Sequence, residues 1–405
     1  MSIFRSTNIL LPKTECIDKW AVIACDQFTS QPEYWDRVEA YTKGAVSALN
    51  LILPEARMDK TEELLPKINQ SMNTYLEDAV FEEYESVYIY IERTLVNGSI
   101  RRGVIGAVDL DTYDYAPDTD AAVRATERTV VERIPPRMNI RRNAPVELSH
   151  VLMLCDDKEH ILLESLAEIK GLCKKVYDFD LMEDGGHLTG WLIEGKHVKM
   201  FDDKLAAYED ATRKEYPMIF AVGDGNHSLA TAKACYEELK QKYPDKDLSS
   251  HPARYALVEL GNIHEESQQF EPIHRIVTEV DVEKLLQAVK KEICAENGYE
   301  LVLWLGEQKE AVYLNPALGE LPIGILQEFL DSYLKENEGE IDYIHGEDVV
   351  KDLAKQDSAV GFILPDIQKG QFFKGIVKDG VLPRKTFSMG HAQEKRYYLE
   401  ARKII

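Results

Sequence analysis

The sequence predicts a mixed α+β protein, and three observations carry that prediction. Apolar residues with a helical period alternate along the chain with short segments of β-branched and aromatic residues. A hairpin pattern is centred on Asn97-Gly98, with Val87, Ile89 and Ile91 alternating before it and the segment 101–108 returning after it. No GxGxxG pattern or P-loop pattern accompanies these segments. We therefore predict mixed sheets rather than a doubly wound parallel sheet.

The first 145 residues contain helix signals on both sides of the hairpin. Ser30-Gln31-Pro32-Glu33 has the spacing of a capping box with an early proline, which predicts a helix over 30–48. A strand is predicted over 20–24 and a second helix over 61–77. A third helix is predicted over 118–134, where Pro135-Pro136 would end it.

The centre of the chain carries a strand–turn–helix pattern. The apolar run 217–222 predicts a buried strand, and apolar periodicity resumes at Ser228 as a helix. Before it, strands are predicted over 148–154, 176–179 and 187–193 and a helix over 158–171; after it, a strand is predicted over 255–260.

The last part of the chain predicts helices over 280–295, 323–335 and 347–355 and strands over 301–305 and 360–364. We divide the chain into three predicted lobes. They cover residues 1–145 with an arginine-rich segment, 146–280 with the strand–turn–helix, and 281–405 as a C-terminal α/β lobe.

Composition excludes several classes of function. The net charge of −23 comes from 71 acidic against 48 basic residues, so the surface repels nucleic acid and anionic membranes. We therefore predict neither a nucleic-acid partner nor a membrane partner. Six cysteines without a CxxC pattern predict reduced, mostly buried thiols, and no segment approaches ~18 apolar residues. These features predict a cytoplasmic protein.

The turn from Gly223 to Ser228 is the leading candidate for a ligand site. Gly223 and Gly225 permit positive φ and close approach of a ligand, while Asp224 and Asn226 supply short polar side chains. The N-terminus of the following helix suits a phosphate, and His227 on its first turn can donate to an anion or move a proton. The alternative is an ordinary turn that caps a helix and binds nothing.

Arginine usage before this turn suggests a second anion-binding feature. No lysine lies between Lys67 and Lys158, whereas nine arginines do: 93, 101, 102, 124, 128, 133, 137, 141 and 142. Arg124 and Arg128 are four residues apart, so on the predicted helix they share a face, with Glu127 beside them. We expect at least two of the nine to face an anion; the alternative for any one of them is a surface pair with an acid.

Other patterns give weaker predictions. His274 and Arg275 are adjacent in an extended segment, so they point to opposite faces and at most one is expected to reach a common pocket. His264 has no second histidine at metal-ligand spacing and there is no HExxH, so no zinc is predicted. No GxSxG pattern supports a hydrolase nucleophile.

Several blocks resemble those of the DUF1015 family, often labelled ParB-like. These blocks are Val104-Ile105-Gly106, Thr126-Glu127-Arg128-Thr129, Phe220 to Leu229, Pro272-Ile273-His274-Arg275 and Leu382-Pro383-Arg384-Lys385-Thr386. The turn resembles the family's Asp-Gly-His-His-Arg signature, which also resembles those of ParB-type nucleotide-binding domains and archaeal free-serine kinases. Here Asn226 replaces the first His and Ser228 replaces the Arg. The resemblance implies a ParB/sulfiredoxin-like core around the strand–turn–helix.

The resemblance also implies a function: a nucleotide-dependent phosphotransferase acting on a small hydroxyl metabolite, by analogy free L-serine, or a phosphatase that uses the same phosphate cradle. Glu127 would be the general base, Asp224 would position Mg²⁺ or the acceptor, and His227 would donate to phosphate. Mg²⁺ with ATP or ADP is the implied cofactor. The nucleotide would be held by Gly223, Gly225, Asn226, Ser228, Arg124, Arg128 and Arg137.

The alternative function is a non-catalytic sensor of a nucleotide or phosphometabolite that does not bind DNA. Loss of one of the signature's two His residues and of its Arg favours the sensor, whereas Asp224 and the arginine-rich segment favour the enzyme. The acceptor, the base of the nucleotide, the metal and the oligomeric state stay open.

Overall fold

A computed structural model describes residues 2–383 and 385–405; Arg384, in one of the family-like blocks, lies outside the described residues. The predicted α+β class with mixed sheets is confirmed, because helices and strands alternate along the chain and the largest sheet contains both parallel and antiparallel pairs. No described helix is long and apolar enough to cross a membrane.

The helices of the described residues, in chain order, are α1 (Ile17–Trp20), α2 (Pro32–Thr42), α3 (Thr61–Glu77), α4 (Ile134–Arg141), α5 (Leu162–Ile169), α6 (Lys196–Thr212), α7 (Asn226–Lys242), α8 (Val282–Glu292), α9 (Pro322–Glu336), α10 (Glu347–Leu353) and α11 (Lys369–Asp379).

The strands are β1 (Phe4–Arg5), β2 (Thr7–Pro12), β3 (Val22–Ile23), β4 (Phe81–Thr94), β5 (Ile100–Asp109), β6 (Tyr113–Asp114), β7 (Val123–Ala125), β8 (Val146–Leu148), β9 (Val151–Cys155), β10 (Lys174–Asp180), β11 (His187–Ile193), β12 (Phe220–Asp224), β13 (Tyr255–Asn262), β14 (Phe270–Pro272), β15 (His274–Thr278), β16 (Cys294–Leu305), β17 (Gln308–Leu314), β18 (Glu340–Ile344), β19 (Val360–Ile363), β20 (Phe387–Met389), β21 (Tyr397–Tyr398) and β22 (Ala401–Lys403).

The chain forms two compact units. The larger unit contains Met1–Ala125, Thr129–Gln268 and His391–Ile405, and the smaller contains Thr126–Arg128 and Gln269–Gly390. The division into three lobes stays a prediction.

The larger unit is built on a mixed sheet with the order β6-β7-β12-β9-β13-β5-β4-β2-β22-β8, joined by β1, β10 and β11. The hairpin predicted around Asn97-Gly98 is confirmed, since β4 and β5 pair antiparallel from Ile89↔Ile105 to Thr94↔Ile100. Third from one end of this order, β12 lies between β7, to which it is parallel, and β9, to which it is antiparallel. The predicted strand–turn–helix therefore starts from an interior strand, paired on both sides.

Both faces of this sheet are buried. Successive residues of β4 point to opposite faces, and Ile89 packs in one core with α2 and α3 while Tyr88 packs in the other with α5, α6 and α7. A strand covered on both sides shows no polar alternation at its centre, which explains the run of buried residues in β4.

The smaller unit is built on a five-stranded sheet with the order β17-β16-β19-β15-β18, whose pairs are all antiparallel. A separate short pair, β14 with β20, packs Phe270 and Phe387 against Phe372 of α11, with ring centroids 5.0–5.4 Å apart.

The helix predicted over 118–134 is wrong. Residues 123–125 form β7, which pairs with β6 and β12 in the sheet, and α4 begins at Ile134, at the point where the predicted helix was to end. Pro135 and Pro136 lie in the first turn of α4, where a backbone N–H has no intrahelical partner and proline costs nothing. Arg124 and Arg128 therefore do not share a helix face.

Three other predictions need smaller corrections. The capping box at Ser30 does not form, because the N-cap of α2 is Gln31 without a side-chain bond; the helix ends at Thr42, two residues before Gly44 at φ +76°. The strand predicted over 148–154 is two strands, β8 and β9, with a break at 149–150. The six thiols are free as predicted, but only Cys155 is fully buried.

Candidate functional site

The turn after β12 is shaped by Gly225. This residue is the N-cap of α7 and has φ +81°, a left-handed conformation that favours glycine. A Cβ at Gly225 would lie 3.1 Å from Cα of Val151, so the turn is also packed against β9. Gly223 lies inside β12, at an irregularity in its pairing with β9, and is not among the residues with positive φ. Only one of the two predicted glycines therefore uses positive φ.

The N-terminus of α7 provides an electrostatic setting for an anion. The helix has 17 residues, no acidic residue in its first turn and an N-cap glycine that contributes no side-chain bond. Its dipole therefore places partial positive charge at Asn226, His227 and Ser228 without a carboxylate of the same turn to neutralise it. All three residues are partly exposed.

Both carboxylate oxygens of Asp224 have partners. Its Oδ1 accepts a hydrogen bond of 2.8 Å from the N–H of Gly225, and its Oδ2 lies 3.2 Å from Nζ of Lys395. The Lys395 side chain is 15% exposed, so this ammonium is largely withdrawn from water beside the start of α7. The turn thus has a cation next to it that comes from the far end of the chain.

Two buried arginines hold the segment that carries Lys395. Arg93 of β4 donates to the carbonyls of Gln393, Glu394 and Lys395, and Arg101 of β5 donates to the carbonyl of Glu394 at 2.8 Å. These carbonyls belong to a short 3-10 helix, Ala392–Glu394, and to its C-cap Lys395, so the guanidinium groups fix the helix that positions Lys395. Sequence reasoning missed Lys395, because nothing in a local pattern connects residue 395 with residue 224.

His227 is oriented through one ring nitrogen. Its Nε2 accepts a hydrogen bond of 3.2 Å from the backbone N–H of Val130. A nitrogen that accepts carries no proton, so a neutral His227 carries its proton on Nδ1. The predicted donation to phosphate therefore requires Nδ1.

His150 lies in the break between β8 and β9, and its ring packs against Tyr398 with centroids 4.9 Å apart. Burial lowers the pKa of His150 below its ordinary value, against the opposing effect of Asp26 and Asp224. The imidazole is therefore neutral at physiological pH. Cys25, whose Sγ accepts a hydrogen bond from the Tyr398 hydroxyl, has its pKa raised to about 11 by burial, so it is a protonated thiol rather than a nucleophile.

Most of the nine arginines bond to groups of the chain itself. Besides Arg93 and Arg101, the pairs in the larger unit are Arg102 with Glu265 at 3.2 Å, Arg124 with the carbonyl of Ala121 at 3.0 Å, Arg137 with Glu55, Arg141 with Glu147 at 2.6 Å and Arg142 with Glu238 at 2.8 Å. Roles of Arg124, Arg128 and Arg137 in nucleotide binding stay predictions.

In the smaller unit, three family-like blocks lie side by side. Leu382 exchanges backbone hydrogen bonds with Thr126 and Arg128, and Oε1 of Glu127 accepts from the N–H of Thr386 at 3.3 Å. The buried guanidinium of Arg275 donates to the carbonyl of Lys385 at 2.9 Å, and the charge of Glu127 acts on it. Glu127 therefore lies in an ordered, polar environment, and its role as general base stays a prediction.

His274 and Arg275 have separate partners, as expected for adjacent residues of a strand. Nδ1 of His274 accepts from the N–H of Leu364 at 3.2 Å, and burial lowers the pKa of His274. Arg275 instead bonds Oε1 of Gln327 on α9 at 3.0 Å and covers the ring of Tyr343. Both contacts are structural, and a ligand role for either residue stays a prediction.

A family model described as "Protein of unknown function (DUF1015)" matches residues 7–403. No match was found among curated proteins. Among solved structures, the chain is similar to a free serine kinase in complex with AMP, with 14% identity over 74% of this chain and 90% of that chain and a TM-score of 0.35. It is also similar to a C-terminally truncated SbnI from Staphylococcus aureus (14% identity, 71% and 83% covered, TM-score 0.35) and to a conserved hypothetical protein from Pyrococcus furiosus (15%, 72% and 90%, TM-score 0.32). Similarity at this level does not assign an activity to the chain.

Proposed function

We propose that this chain, which belongs to the DUF1015 family, is a nucleotide-dependent phosphotransferase. It would move a phosphoryl group from ATP or ADP to the hydroxyl of a small metabolite. The observation that supports the proposal is the ion pair of Asp224 and Lys395 at the start of α7, with its 3.2 Å separation. A charged lysine beside a helix N-terminus is a pairing that suits a phosphate.

Lys395 supplies the cation that the turn itself lacks. Where the family signature has an arginine, this chain has Ser228, which carries no charge. In the proposed site the backbone at the start of α7 binds the nucleotide phosphates, and Lys395 binds the phosphoryl group that is transferred. Asp224 keeps the ammonium in place before the nucleotide arrives. Charge that develops on the transferred group is then met by a fixed, largely desolvated cation.

The carboxylate of Asp224 also has the donor type that Mg²⁺ prefers. Its two oxygens are engaged by Gly225 and Lys395, and a carboxylate oxygen can serve a metal ion in addition to one hydrogen bond. Asp224 is therefore the residue that would hold Mg²⁺ bound with the nucleotide, which would neutralise phosphate charge.

The acceptor is proposed from the signature's resemblance to free-serine kinases: a small hydroxyl compound, with free L-serine as the first to test. Transfer to water on the same phosphate cradle would make the protein a phosphatase. Glu127 is retained as the proposed general base, since a carboxylate can take the hydroxyl proton as the phosphoryl group is transferred.

A sensor of a nucleotide or phosphometabolite is the second candidate. It is favoured by Asn226 and Ser228, which replace the first His and the Arg of the signature, and by Nε2 of His227, which accepts a hydrogen bond from the backbone of Val130. A sensor needs the phosphate cradle but no group that moves a proton.

The test is transfer of labelled phosphate from ATP or ADP to serine and a panel of small alcohols, beside calorimetric binding of each nucleotide. Lys395→Met is expected to lower turnover by about 10²- to 10³-fold, the usual effect of removing one group that stabilises transition-state charge. Lys403→Met is the matched control, because Lys403 forms an exposed ion pair with Glu83. Its turnover should equal that of the wild type.

The base is tested in the same assay. Glu127→Gln is expected to keep nucleotide affinity and to lower turnover by roughly 10²- to 10⁴-fold. Wild-type turnover in this variant would remove Glu127 from the mechanism without affecting the kinase proposal. A wild-type protein that binds nucleotide tightly and transfers nothing to any acceptor or to water would be a sensor.

A further inference from the structure

Three potential metal ligands from two distant segments meet in the larger unit. His160 lies just before α5, Glu164 lies in its first turn, and Glu265 lies in the loop that follows β13. One ligand atom from each residue lies within 4.8 Å of the other two. Glu265 is 4% exposed, Glu164 is partly buried and His160 is exposed, so the cluster opens to solvent on the side of the imidazole.

The contacts around the cluster leave charge to be balanced. Nδ1 of His160 is 3.1 Å from Oε1 of Glu164, and Oε2 of Glu265 accepts from Arg102 at 3.2 Å. Arg102 is itself shared with Glu92, at 3.9 Å. Glu92 has a closer cation of its own, Lys170 at 2.7 Å. The two carboxylates of the cluster, Glu164 and Glu265, therefore share the one guanidinium of Arg102.

A second observation points to a bound cation. Oε2 of Glu164 is buried and has no hydrogen-bond donor among the described residues. A buried carboxylate oxygen without a donor is unfavourable, so folded proteins rarely leave one. A simple surface pair of His160 and Glu164 would use Oε1 and leave this cost in place.

We propose that His160, Glu164 and Glu265 bind one divalent transition-metal ion, of the class of Zn²⁺ or Mn²⁺. One imidazole nitrogen and two carboxylate oxygens form a donor set that these ions accept. With bonds of about 2.0–2.2 Å, ligand atoms of a tetrahedral site lie about 3.4 Å apart, so small side-chain rotations close the cluster on an ion. The imidazole disfavours Mg²⁺, which prefers oxygen ligands.

The ion would join the start of α5 to the loop after β13. It would add to contacts that already hold this loop: Nε2 of His264 lies 2.6 Å from Oδ1 of Asp156, and the N–H of Ile263 donates to the carbonyl of Cys155. The role is therefore structural and independent of the proposed phosphotransferase activity. A search of the sequence for spaced histidines does not find the site, because Glu265 is remote in sequence from the other two ligands.

The test is titration of chelator-treated, untagged protein with Zn²⁺ by calorimetry, with Co²⁺ absorption as a spectroscopic signature of the ligand set. His160→Asn removes the nitrogen donor and retains a residue that tolerates the local φ of +52°. Glu164→Gln removes the second charge. Glu168→Gln is the matched control, since Glu168 is exposed on the same helix, one turn further on.

We expect one Zn²⁺ per chain in the wild type and in Glu168→Gln, with at least tenfold weaker binding in His160→Asn and in Glu164→Gln. Mn²⁺ should compete for the site, and Mg²⁺ at the same concentration should not. Equal Zn²⁺ affinity in the wild type and the two ligand variants, or no binding by the folded wild type, would overturn the proposal. Circular dichroism of each variant establishes that it is folded.

Discussion

Gly225 is required by the geometry of its turn before any ligand is considered. Its φ of +81° is disfavoured for every residue with a Cβ, and the added Cβ would also press on Val151 at 3.1 Å. From the sequence, glycine at this position indicates space for a ligand to approach the backbone. The structure gives a second reason for the same residue, so loss of binding in a Gly225 variant is not by itself evidence for a ligand.

We predict that Gly225→Ala lowers the free energy of unfolding by about 1–3 kcal/mol, from backbone strain and from the contact with Val151. Gly44→Ala is the matched control, because Gly44 has φ +76° with nothing within 4 Å of the added Cβ. It should show the strain alone, about 1 kcal/mol. Urea denaturation of both variants measures the difference; equal losses would mean that the packing against Val151 costs nothing.

His150 gives a prediction about pH. Its folded pKa is lowered by burial, whereas in the unfolded chain it takes its ordinary value near 6.5. Above about pH 6.5, His150 is neutral in both the folded and the unfolded state, so its full contribution to stability is present. As pH falls below it, the unfolded chain binds a proton that the folded chain does not. The contribution of His150 to the unfolding free energy then decreases by up to about 1.4 kcal/mol per pH unit until the folded pKa is reached.

Urea denaturation between pH 5 and 8 checks this, with His150→Gln expected to show a shallower loss of stability than the wild type. His187 is a useful contrast. Hydrogen bonds to Asp180 and Asp178 raise the pKa of His187, so its contribution has the opposite sign: it is present at low pH and is lost as pH rises. His187→Gln should therefore make the acid-side loss steeper. The same pH profile in wild type and His150→Gln would contradict the assignment.

At the scale of elements, prediction succeeded where a local signal has one meaning. The helix predicted over 61–77 matches α3, and the Asn97-Gly98 hairpin and the strand–turn–helix at Gly225 form as expected. Pro135-Pro136 shows the limit. Two consecutive prolines are compatible both with the end of one helix and with the first turn of the next. The preceding segment 123–125 forms a strand because it pairs with β12, which is remote in sequence.

The candidate site follows the same rule. Asp224, Gly225 and His227 were predicted, because a strand that breaks into a glycine turn and a helix is a local pattern. Lys395 was not, because its position depends on carbonyl bonds from Arg93 and Arg101 to a segment near the end of the chain. Arginine enrichment was a valid signal of unusual chemistry, but for these two residues the partner is backbone. A group of arginines in a sequence does not show whether their guanidinium groups will donate to backbone carbonyls or to a phosphate.

At the scale of the whole molecule, the net charge of −23 has to be reconciled with a proposed phosphate site. Charges in water are screened over about 8 Å at physiological ionic strength. A small nucleotide at the start of α7 therefore responds mainly to Lys395 and the helix dipole, and little to the acidic surface at large. A DNA duplex is much longer than this distance, so it meets the acidic surface along most of any contact.

We therefore predict that the protein does not bind duplex DNA at physiological salt, with or without ATP, whereas we expect it to bind ATP. The measurement is a gel-shift titration of a random-sequence duplex up to micromolar protein, run beside calorimetry with ATP on the same preparation. Binding to a duplex depends on neutralising several phosphates, and its strength falls steeply with salt. A few local cations cannot supply that number in a chain with 71 acidic and 48 basic residues. Retardation of the duplex at physiological salt would contradict the prediction and favour a ParB-like function, and lowering the salt would then strengthen the shift in proportion to the phosphates contacted.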